Sequence, residues 1–164
     1  MIIVIRDNWL QEKECKELIQ HYEANVKRVR QYESYYPLVL EPGEIPYLEK
    51  KFDDTAYKIN KSSFEYCGIT KWQPDTELKP HVDFALETKN GMDHGYILAS
   101  VVYLNDDYKG GQTYIDDGTV IAPVQGRGLF FDGMHYKHGV FTIKNNVRYT
   151  LTAWFKAKKD EKPR

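Results

Sequence analysis

Near Ser62 the spacing of apolar residues changes from a helical period to an alternation of two. Before this point, apolar residues recur every three or four positions, as they do on one face of a helix. Beyond it, short apolar or alternating runs end in Gly, Asn or Asp, which is the pattern of strands and turns. Two helices followed by about eight short strands predict a β-barrel or sandwich with the helices packed on one face.

The N-terminal part is predicted to contain one strand and both helices. Residues 2–5 are continuously apolar, which predicts a buried strand. A helix is expected from Gln11 to about Val26, because Cys15 and Leu18 fall on one apolar stripe with charged residues opposite. A second helix is expected to begin near Pro46, since proline is tolerated in a first helical turn.

We expect one domain, because the 164 residues contain no Gly/Ser-rich or Pro-rich linker. Its parts would be a strand with supporting helices (1–60), a β core (62–156) and a charged tail (157–164). The expected fold class is therefore mainly β with flanking helices (α+β).

Composition and charge disfavour two classes of binding partner, nucleic acids and membranes. The formal net charge is -1, so no overall field favours nucleic acid, and a nucleic-acid demethylase is disfavoured. The apolar start, 1–5, is too short to cross a membrane. The two cysteines cannot form a disulfide framework, which predicts buried thiols in a reducing, cytoplasmic setting. The oligomeric state stays open.

The segment Leu78–Phe84 carries the first candidate site residues. In a strand, side chains two apart share a face, so His81 and Asp83 would project together. They would supply two ligands of the two-histidine, one-carboxylate triad that holds Fe(II). With five histidines in the chain, the triplet alone is equally compatible with two solvated side chains.

His138 is the candidate for the third ligand. A hairpin from His138 to Arg148 would bring the guanidinium back beside the histidine, where it would bind a carboxylate with two hydrogen bonds. His135 is the competing ligand, but residues three apart on a strand do not share a face, which favours His138.

The loop Ala85–Gly95 directly follows the first two candidate ligands. It contains two glycines and mixed charges without an apolar period. We therefore expect a mobile lid that orders when the site is filled, with a permanently flexible connector as the alternative. His94 lies in this loop, where we expect it to be solvated.

Together these segments resemble the 2-oxoglutarate and Fe(II) dependent dioxygenases, specifically the prolyl 4-hydroxylase-like branch. The likeness spans most of the chain. The matching segments, in the order that the family has them, are Pro80–Asp83, Val102–Asn105, Gly110–Thr113, His138–Val140 and Arg148–Phe155.

The resemblance implies a double-stranded β-helix, a jelly-roll or cupin-like fold, with N-terminal helices packed on one sheet. It implies that His81, Asp83 and His138 bind Fe(II) and that Arg148 pairs with the distal carboxylate of 2-oxoglutarate. Tyr103 would donate a hydrogen bond to the same carboxylate.

The resemblance also makes Thr113 and Thr150 candidate co-substrate residues. It implies O2 as the oxidant and ascorbate as a reductant. One departure stands out, because many relatives have a tyrosine near Trp72, which can donate only through its indole nitrogen.

The implied function is hydroxylation coupled to decarboxylation of 2-oxoglutarate to succinate and CO2, on a prolyl residue of a peptide or protein. Two alternatives stay open. One is a hydroxylase of a small molecule such as a free amino acid, and the other is a β-barrel binding module that has lost the chemistry.

Overall fold

The computed structural model describes residues 2–83, 87–88, 91–92 and 96–158. It has two α-helices, α1 (Glu12–Ala24) and α2 (Pro46–Asn60), and a short 3-10 helix, Val26–Arg28. The strands are β1 (Ile3–Arg6), β2 (Tyr35–Val39), β3 (Ser62–Trp72), β4 (Leu78–His81), β5 (Glu87–Thr88), β6 (Gly91–Met92), β7 (Tyr96–Tyr103), β8 (Lys109–Gly110), β9 (Thr113–Ile115), β10 (Val120–Ile121), β11 (Gly128–Phe131), β12 (His138–Val140), β13 (Ile143–Lys144) and β14 (Arg148–Ala157).

Two antiparallel sheets face each other across a cavity. The large sheet has six strands in the order β1-β11-β7-β14-β3-β2, and the small sheet has four in the order β10-β9-β12-β4. Two further strand pairs, β13-β8 and β5-β6, lie outside them. The large sheet therefore has one face toward the small sheet and the other available to the helices.

Alternation along β14 separates the two faces of the large sheet. Leu151, Ala153 and Phe155 point to the helix side, where they pack with apolar residues of α1 and α2. The residues that alternate with them, Thr150, Thr152 and Trp154, line the cavity between the sheets. A strand buried on both faces positions polar side chains rigidly, because its apolar neighbours on the other face fix it against the helices.

The helix boundaries agree with the sequence prediction within two residues. In α1, the side chain of Glu14 accepts the Gln11 N–H at 2.7 Å, which satisfies one of the free donors at the helix start. In α2, Pro46 occupies the first turn, and Lys61 ends the helix with a positive φ of 62°.

Strand β2 was not predicted from the sequence. It contains Pro37, which cannot donate to a ladder and so weakens the strand pattern. It nevertheless pairs with β3, at the edge of the large sheet where a proline is tolerated.

The predicted hairpin between His138 and Arg148 is wrong. Strand β12 pairs with β9 and β4 in the small sheet, whereas β14 pairs with β3 and β7 in the large sheet. Arg148 therefore reaches the cavity from the wall opposite His138. Residues between them, Ile143–Lys144, pair instead with β8.

Most of the predicted lid, Ala85–Gly95, lies outside the described residues, and so does His94. The part that is described is a two-residue ladder between β5 and β6. Among the helices that the structure describes, none combines the length and the apolar character needed to span a membrane.

An ion-pair cluster fastens α1 and the 3-10 helix to the segment before α2. Arg28 donates to both carboxylate oxygens of Glu44, at 2.7 and 3.0 Å, and His21 Nε2 lies 2.7 Å from Oε1. The hydrogen bond from Arg28 is the main cause that lowers the pKa of Glu44 to about 2.

This cluster predicts a loss of stability in acid. Because the folded-state pKa of Glu44 is depressed, its contribution is fully present above its unfolded value near 4.5 and is lost as the pH falls toward 2. Glu44→Gln should lower the free energy of unfolding at pH 6 by about 1 kcal/mol and should flatten its pH dependence below pH 4.5. Urea unfolding at pH 6 and pH 3 tests this, with exposed Glu33→Gln as the control. Equal pH dependence in both variants would contradict it.

Candidate metal and co-substrate site

His81, Asp83 and His138 form a compact cluster at one side of the cavity. His81 is the last residue of β4, Asp83 follows two positions later, and His138 opens β12 directly opposite His81 in the ladder. One ligand atom from each residue lies within 4.8 Å of the other two. Asp83 Oδ1 is 3.5 Å from His138 Nε2 and 3.9 Å from His81 Nε2.

Both imidazoles are oriented by backbone carbonyls. His81 Nδ1 lies 3.0 Å from the Lys79 oxygen, and His138 Nδ1 lies 3.1 Å from the Tyr136 oxygen. A carbonyl can only accept, so each Nδ1 carries the proton and each Nε2 presents a lone pair to the cluster. Burial lowers the pKa of His81, which favours the neutral form that binds a metal.

Gly133 allows the Asp83 carboxylate to take its place. The Asp83 N–H donates to the Gly133 oxygen at 2.8 Å. A Cβ at position 133 would overlap Asp83 Oδ2 and would lie 3.1 Å from the Ala99 Cβ. No sequence pattern singles out this glycine, because its role depends on a contact between segments fifty residues apart.

Gly133→Ala should therefore weaken metal binding by displacing the Asp83 carboxylate. We expect Mn(II) affinity to fall by about 10-fold to 100-fold, the range seen when a residue that supports a ligand is changed. Calorimetric titration with Mn(II) measures this. Gly118→Ala is the control, because its added Cβ meets nothing within 4 Å and its only cost is backbone strain at a φ of +93°. Wild-type affinity in Gly133→Ala would show that Asp83 does not need this space.

His135 lies apart from the cluster. Its side chain is 79% exposed, and its Nδ1 lies 2.8 Å from Asp132 in the turn that both residues share. Asp132 also accepts two backbone N–H groups of this turn, so the pair caps a local structure.

Arg148 is buried on the opposite wall, with 1% of its surface exposed. Its guanidinium carbon lies 5.3 Å from the Trp72 ring centre and 5.4 Å from that of Tyr103, within the range of cation–π contacts. Nη2 donates to Thr113 Oγ1 at 3.4 Å. Within the described part of the chain, Nε and Nη1 have no hydrogen-bond partner.

The remaining candidate residues surround this guanidinium. Thr113 and Thr150 line the cavity, whereas Tyr103 is fully buried and donates to Thr113 Oγ1 at 2.7 Å. Trp72 donates through its indole nitrogen to Thr150 Oγ1 at 3.3 Å. The tryptophan that departs from the family pattern thus supports the site through a threonine and through its ring face.

One cavity of about 290 Å³ contains the cluster and the arginine. Both sheets contribute to its walls. Tyr35 of β2 also lines it and packs on Trp72 with ring centres 4.9 Å apart. Burial raises the pKa of Tyr35. Sequence reasoning missed Tyr35 because it missed the strand that carries it.

The donor set fits Fe(II) with a dicarboxylic 2-oxo acid. Two neutral imidazoles and one carboxylate are the ligands of the Fe(II) facial triad, which leaves other positions open to small molecules. Nitrogens of a buried guanidinium that lack partners need an acceptor, and a carboxylate is their strongest one.

Comparison with known proteins identifies the family. A sequence profile of the 2OG-Fe(II) oxygenase superfamily matches residues 67–156, more than half of the chain. Prolyl 4-hydroxylase 1 of Arabidopsis thaliana is 25% identical over an alignment of 117 residues, with 57% of this chain and 41% of that protein covered. The chain thus spans less than half the length of this curated relative.

Solved structures share the fold along almost the whole chain. The viral collagen prolyl hydroxylase from Paramecium Bursaria Chlorella virus-1, in complex with 2OG, has a TM-score of 0.79 at 20% identity and covers 97% of each chain. A Pseudomonas putida prolyl-4-hydroxylase has a TM-score of 0.77 at 19% identity, with 95% of this chain and 92% of that chain covered.

A Trichoplax adhaerens prolyl hydroxylase in complex with a hypoxia inducible factor peptide has a TM-score of 0.74 at 18% identity, covering 95% of this chain and 84% of that one. These likenesses confirm the predicted double-stranded β-helix, and the profile match confirms the resemblance. The chain belongs to the 2OG-Fe(II) oxygenase superfamily, a family of enzymes that use Fe(II), 2-oxoglutarate and O2.

Proposed function

We propose that this protein is an Fe(II)- and 2-oxoglutarate-dependent hydroxylase that converts 2-oxoglutarate to succinate and CO2 as it hydroxylates a prolyl residue of a peptide or protein. One observation carries the proposal. Three side chains that could hold a metal ion line the same cavity as a buried arginine, two of whose nitrogens have no partner among the described residues, in a chain of the matching family.

His81, Asp83 and His138 would hold Fe(II) in this protein. Their three ligand atoms come from the small sheet and the residues just after it, so the large-sheet side of the cavity stays open to co-substrate and O2. The chemistry that Fe(II) supplies in this family is the activation of O2 together with a 2-oxo acid. No acid-base pair or nucleophile of the protein is needed for it.

The protein's own contribution at the other wall is to bind and orient the co-substrate. Arg148 would pair with the distal carboxylate, and the nearby rings of Trp72 and Tyr103 stabilise its position before binding. Thr113 and Thr150 already accept hydrogen bonds from Arg148 and Trp72, which leaves each hydroxyl proton free for an acceptor in the cavity. The surrounding apolar walls exclude water, which strengthens these interactions.

The prolyl substrate is supported by two observations. The Arabidopsis, viral, Pseudomonas and Trichoplax relatives are all named as prolyl hydroxylases, and the Trichoplax structure is a complex with a peptide. In addition, Trp154 lines the cavity and its ring stacks on that of Tyr66, with centres 4.8 Å apart. Proline-rich peptides pack well against such aromatic surfaces, because their rings are preorganised and apolar.

A product assay tests the proposal. The protein would be incubated with Fe(II), 2-oxoglutarate and O2 and with a panel of prolyl peptides and free amino acids. We expect iron-dependent succinate and a peptide product heavier by one oxygen, with ascorbate sustaining repeated turnover. Oxidation of a free amino acid alone would assign a small-molecule substrate. Absence of any succinate release would favour a binding module.

A cytoplasmic location stays a prediction.

A further inference from the structure

Tyr108 is a buried tyrosine that the proposed function does not use. It lies in the turn between β7 and β8, and only 8% of its surface is exposed. Its hydroxyl is enclosed and forms no hydrogen bond of ordinary geometry with any described residue. Leaving a buried hydroxyl without a partner costs stability, so a native protein that retains one invites a functional explanation.

Gly111 brings this tyrosine against Arg148. A Cβ at position 111 would lie 2.7 Å from Tyr108 Cε2 and 3.3 Å from Arg148 Cδ, so both side chains pack on the same bare backbone. The φ of Gly111 is +67°, which also favours glycine there. The phenol and the guanidinium are therefore neighbours. Burial raises the pKa of Tyr108, and Arg148 opposes this rise through its charge and through a contact with the phenol oxygen that falls short of ordinary hydrogen-bond geometry.

The Tyr108 hydroxyl and the Arg148 guanidinium are thus adjacent hydrogen-bond donors, and both lack a well-placed acceptor among the described residues. The guanidinium can only donate, and its Nε and Nη1 have no partner in the described chain. If the Tyr108 oxygen accepted one of these N–H groups, its own proton would still need an acceptor. An oxygen atom that only accepts hydrogen bonds, placed at the edge of the guanidinium, would accept from both side chains.

No described residue supplies that oxygen, which leaves a ligand as its source. The rings of Trp72 and Tyr103 lie near the guanidinium and offer no acceptor oxygen with a free site toward it, and Thr113 already accepts from Nη2. Tyr108 itself packs with Trp72, Val140 and Ile143, which are apolar on this side. Arg148 and Thr113 line the cavity, whereas Tyr108 does not, but Tyr108 and Arg148 pack together on Gly111, so an anion bound at the edge of the guanidinium would lie close to the phenol.

We infer that Tyr108 is a specificity-determining residue that donates its phenolic proton to the distal carboxylate of a dicarboxylic 2-oxo acid bound by Arg148. The inference rests on the proposed 2-oxoglutarate site and extends it. Tyr103, the tyrosine that the family resemblance suggested for this contact, is already committed to Thr113. Tyr108 therefore takes the donor role from a different segment of the chain.

The test compares two probes that differ only at the distal end. Affinities for 2-oxoglutarate and for 2-oxobutyrate, which lacks the distal carboxylate, would be measured calorimetrically on Mn(II)-loaded wild type and Tyr108→Phe. We expect binding of 2-oxoglutarate to weaken by between about 10-fold and 100-fold, as for loss of one hydrogen bond to a charged group. Binding of 2-oxobutyrate should not change.

Unfolding of the metal-free protein supplies a second readout. Tyr108→Phe removes an unpartnered buried hydroxyl, so stability without ligand should stay equal or increase. Tyr22→Phe is the matched control, because the Tyr22 hydroxyl donates to the Tyr36 oxygen at 2.8 Å. This control should lose stability and keep its affinity for both probes.

Each other outcome overturns the inference. Unchanged 2-oxoglutarate affinity in Tyr108→Phe would mean that a water, not the co-substrate, satisfies the phenol. Equal weakening of both probes would indicate a structural role. If wild type bound 2-oxobutyrate and 2-oxoglutarate equally, the proposed co-substrate site would itself be wrong. The wild-type measurement therefore distinguishes failure of the co-substrate site from failure of the role of Tyr108.

Discussion

Mn(II) binding should fall by more than about 100-fold when Asp83 is replaced by alanine, which exceeds the range for residues that only support a ligand. Asp83 provides the single negative charge of the cluster, and it lies within 4 Å of both imidazoles. Without it, two neutral nitrogens would have to compensate for the dehydration of a divalent cation. His81→Ala and His138→Ala should have losses of similar size, because each removes one of three ligands.

Titration calorimetry or Mn(II) electron paramagnetic resonance would measure these affinities. His135→Ala is the matched control, since His135 is the nearest histidine in sequence to His138 and is largely exposed. It should keep wild-type affinity. Equal losses in His135→Ala and His138→Ala would refute the assignment of the ligands.

Affinity for 2-oxoglutarate should fall by about 2–5 kcal/mol when Arg148 is replaced by alanine, the usual cost of removing one partner from a buried charge pair. Metal binding should change little, because Arg148 lies on the opposite sheet from the ligands. Arg148→Lys should recover part of the loss, since an ammonium keeps the charge but cannot form the paired hydrogen bonds of a guanidinium.

A second variant at this position separates binding from folding. Arg148 is among the largest fully buried side chains, and two of its nitrogens lack partners in the described structure. Arg148→Met keeps much of the volume and removes the charge, so the protein should unfold no more easily than wild type without ligand. It should still fail to bind 2-oxoglutarate. Wild-type affinity in either the alanine or the methionine variant would contradict the role.

The sequence predicted local features better than contacts between distant segments. The spacing of two predicted that His81 and Asp83 would share a face, and both do reach one cluster, although β4 ends at His81 and Asp83 lies just beyond the strand. The start of α2 at Pro46 depended on a local rule for first turns. Such rules involve neighbours in the chain, so the printed residues contain enough information to apply them.

Where sequence reasoning failed, tertiary contacts decide the outcome. The pairing of β12 with β9 instead of a hairpin toward Arg148 depends on strands more than twenty residues away. The roles of Gly133 and Tyr108 depend on which side chains lie against them, and neither has a pattern of its own. An aromatic residue inside a polar turn that ends in two glycines was the only sign that Tyr108 would be buried.

The placement of the two halves of the site on facing sheets has a consequence for co-substrate length. A bound diacid would span from the small-sheet ligands to Arg148 on the large sheet. The distance between the two sheets therefore limits the length of the carbon chain that fits. Apolar residues of α1 and α2 set the position of the large sheet from its other face. Substitutions in that distant helical layer, which touch no ligand, therefore offer a way to retune the enzyme toward a 2-oxo diacid one carbon longer.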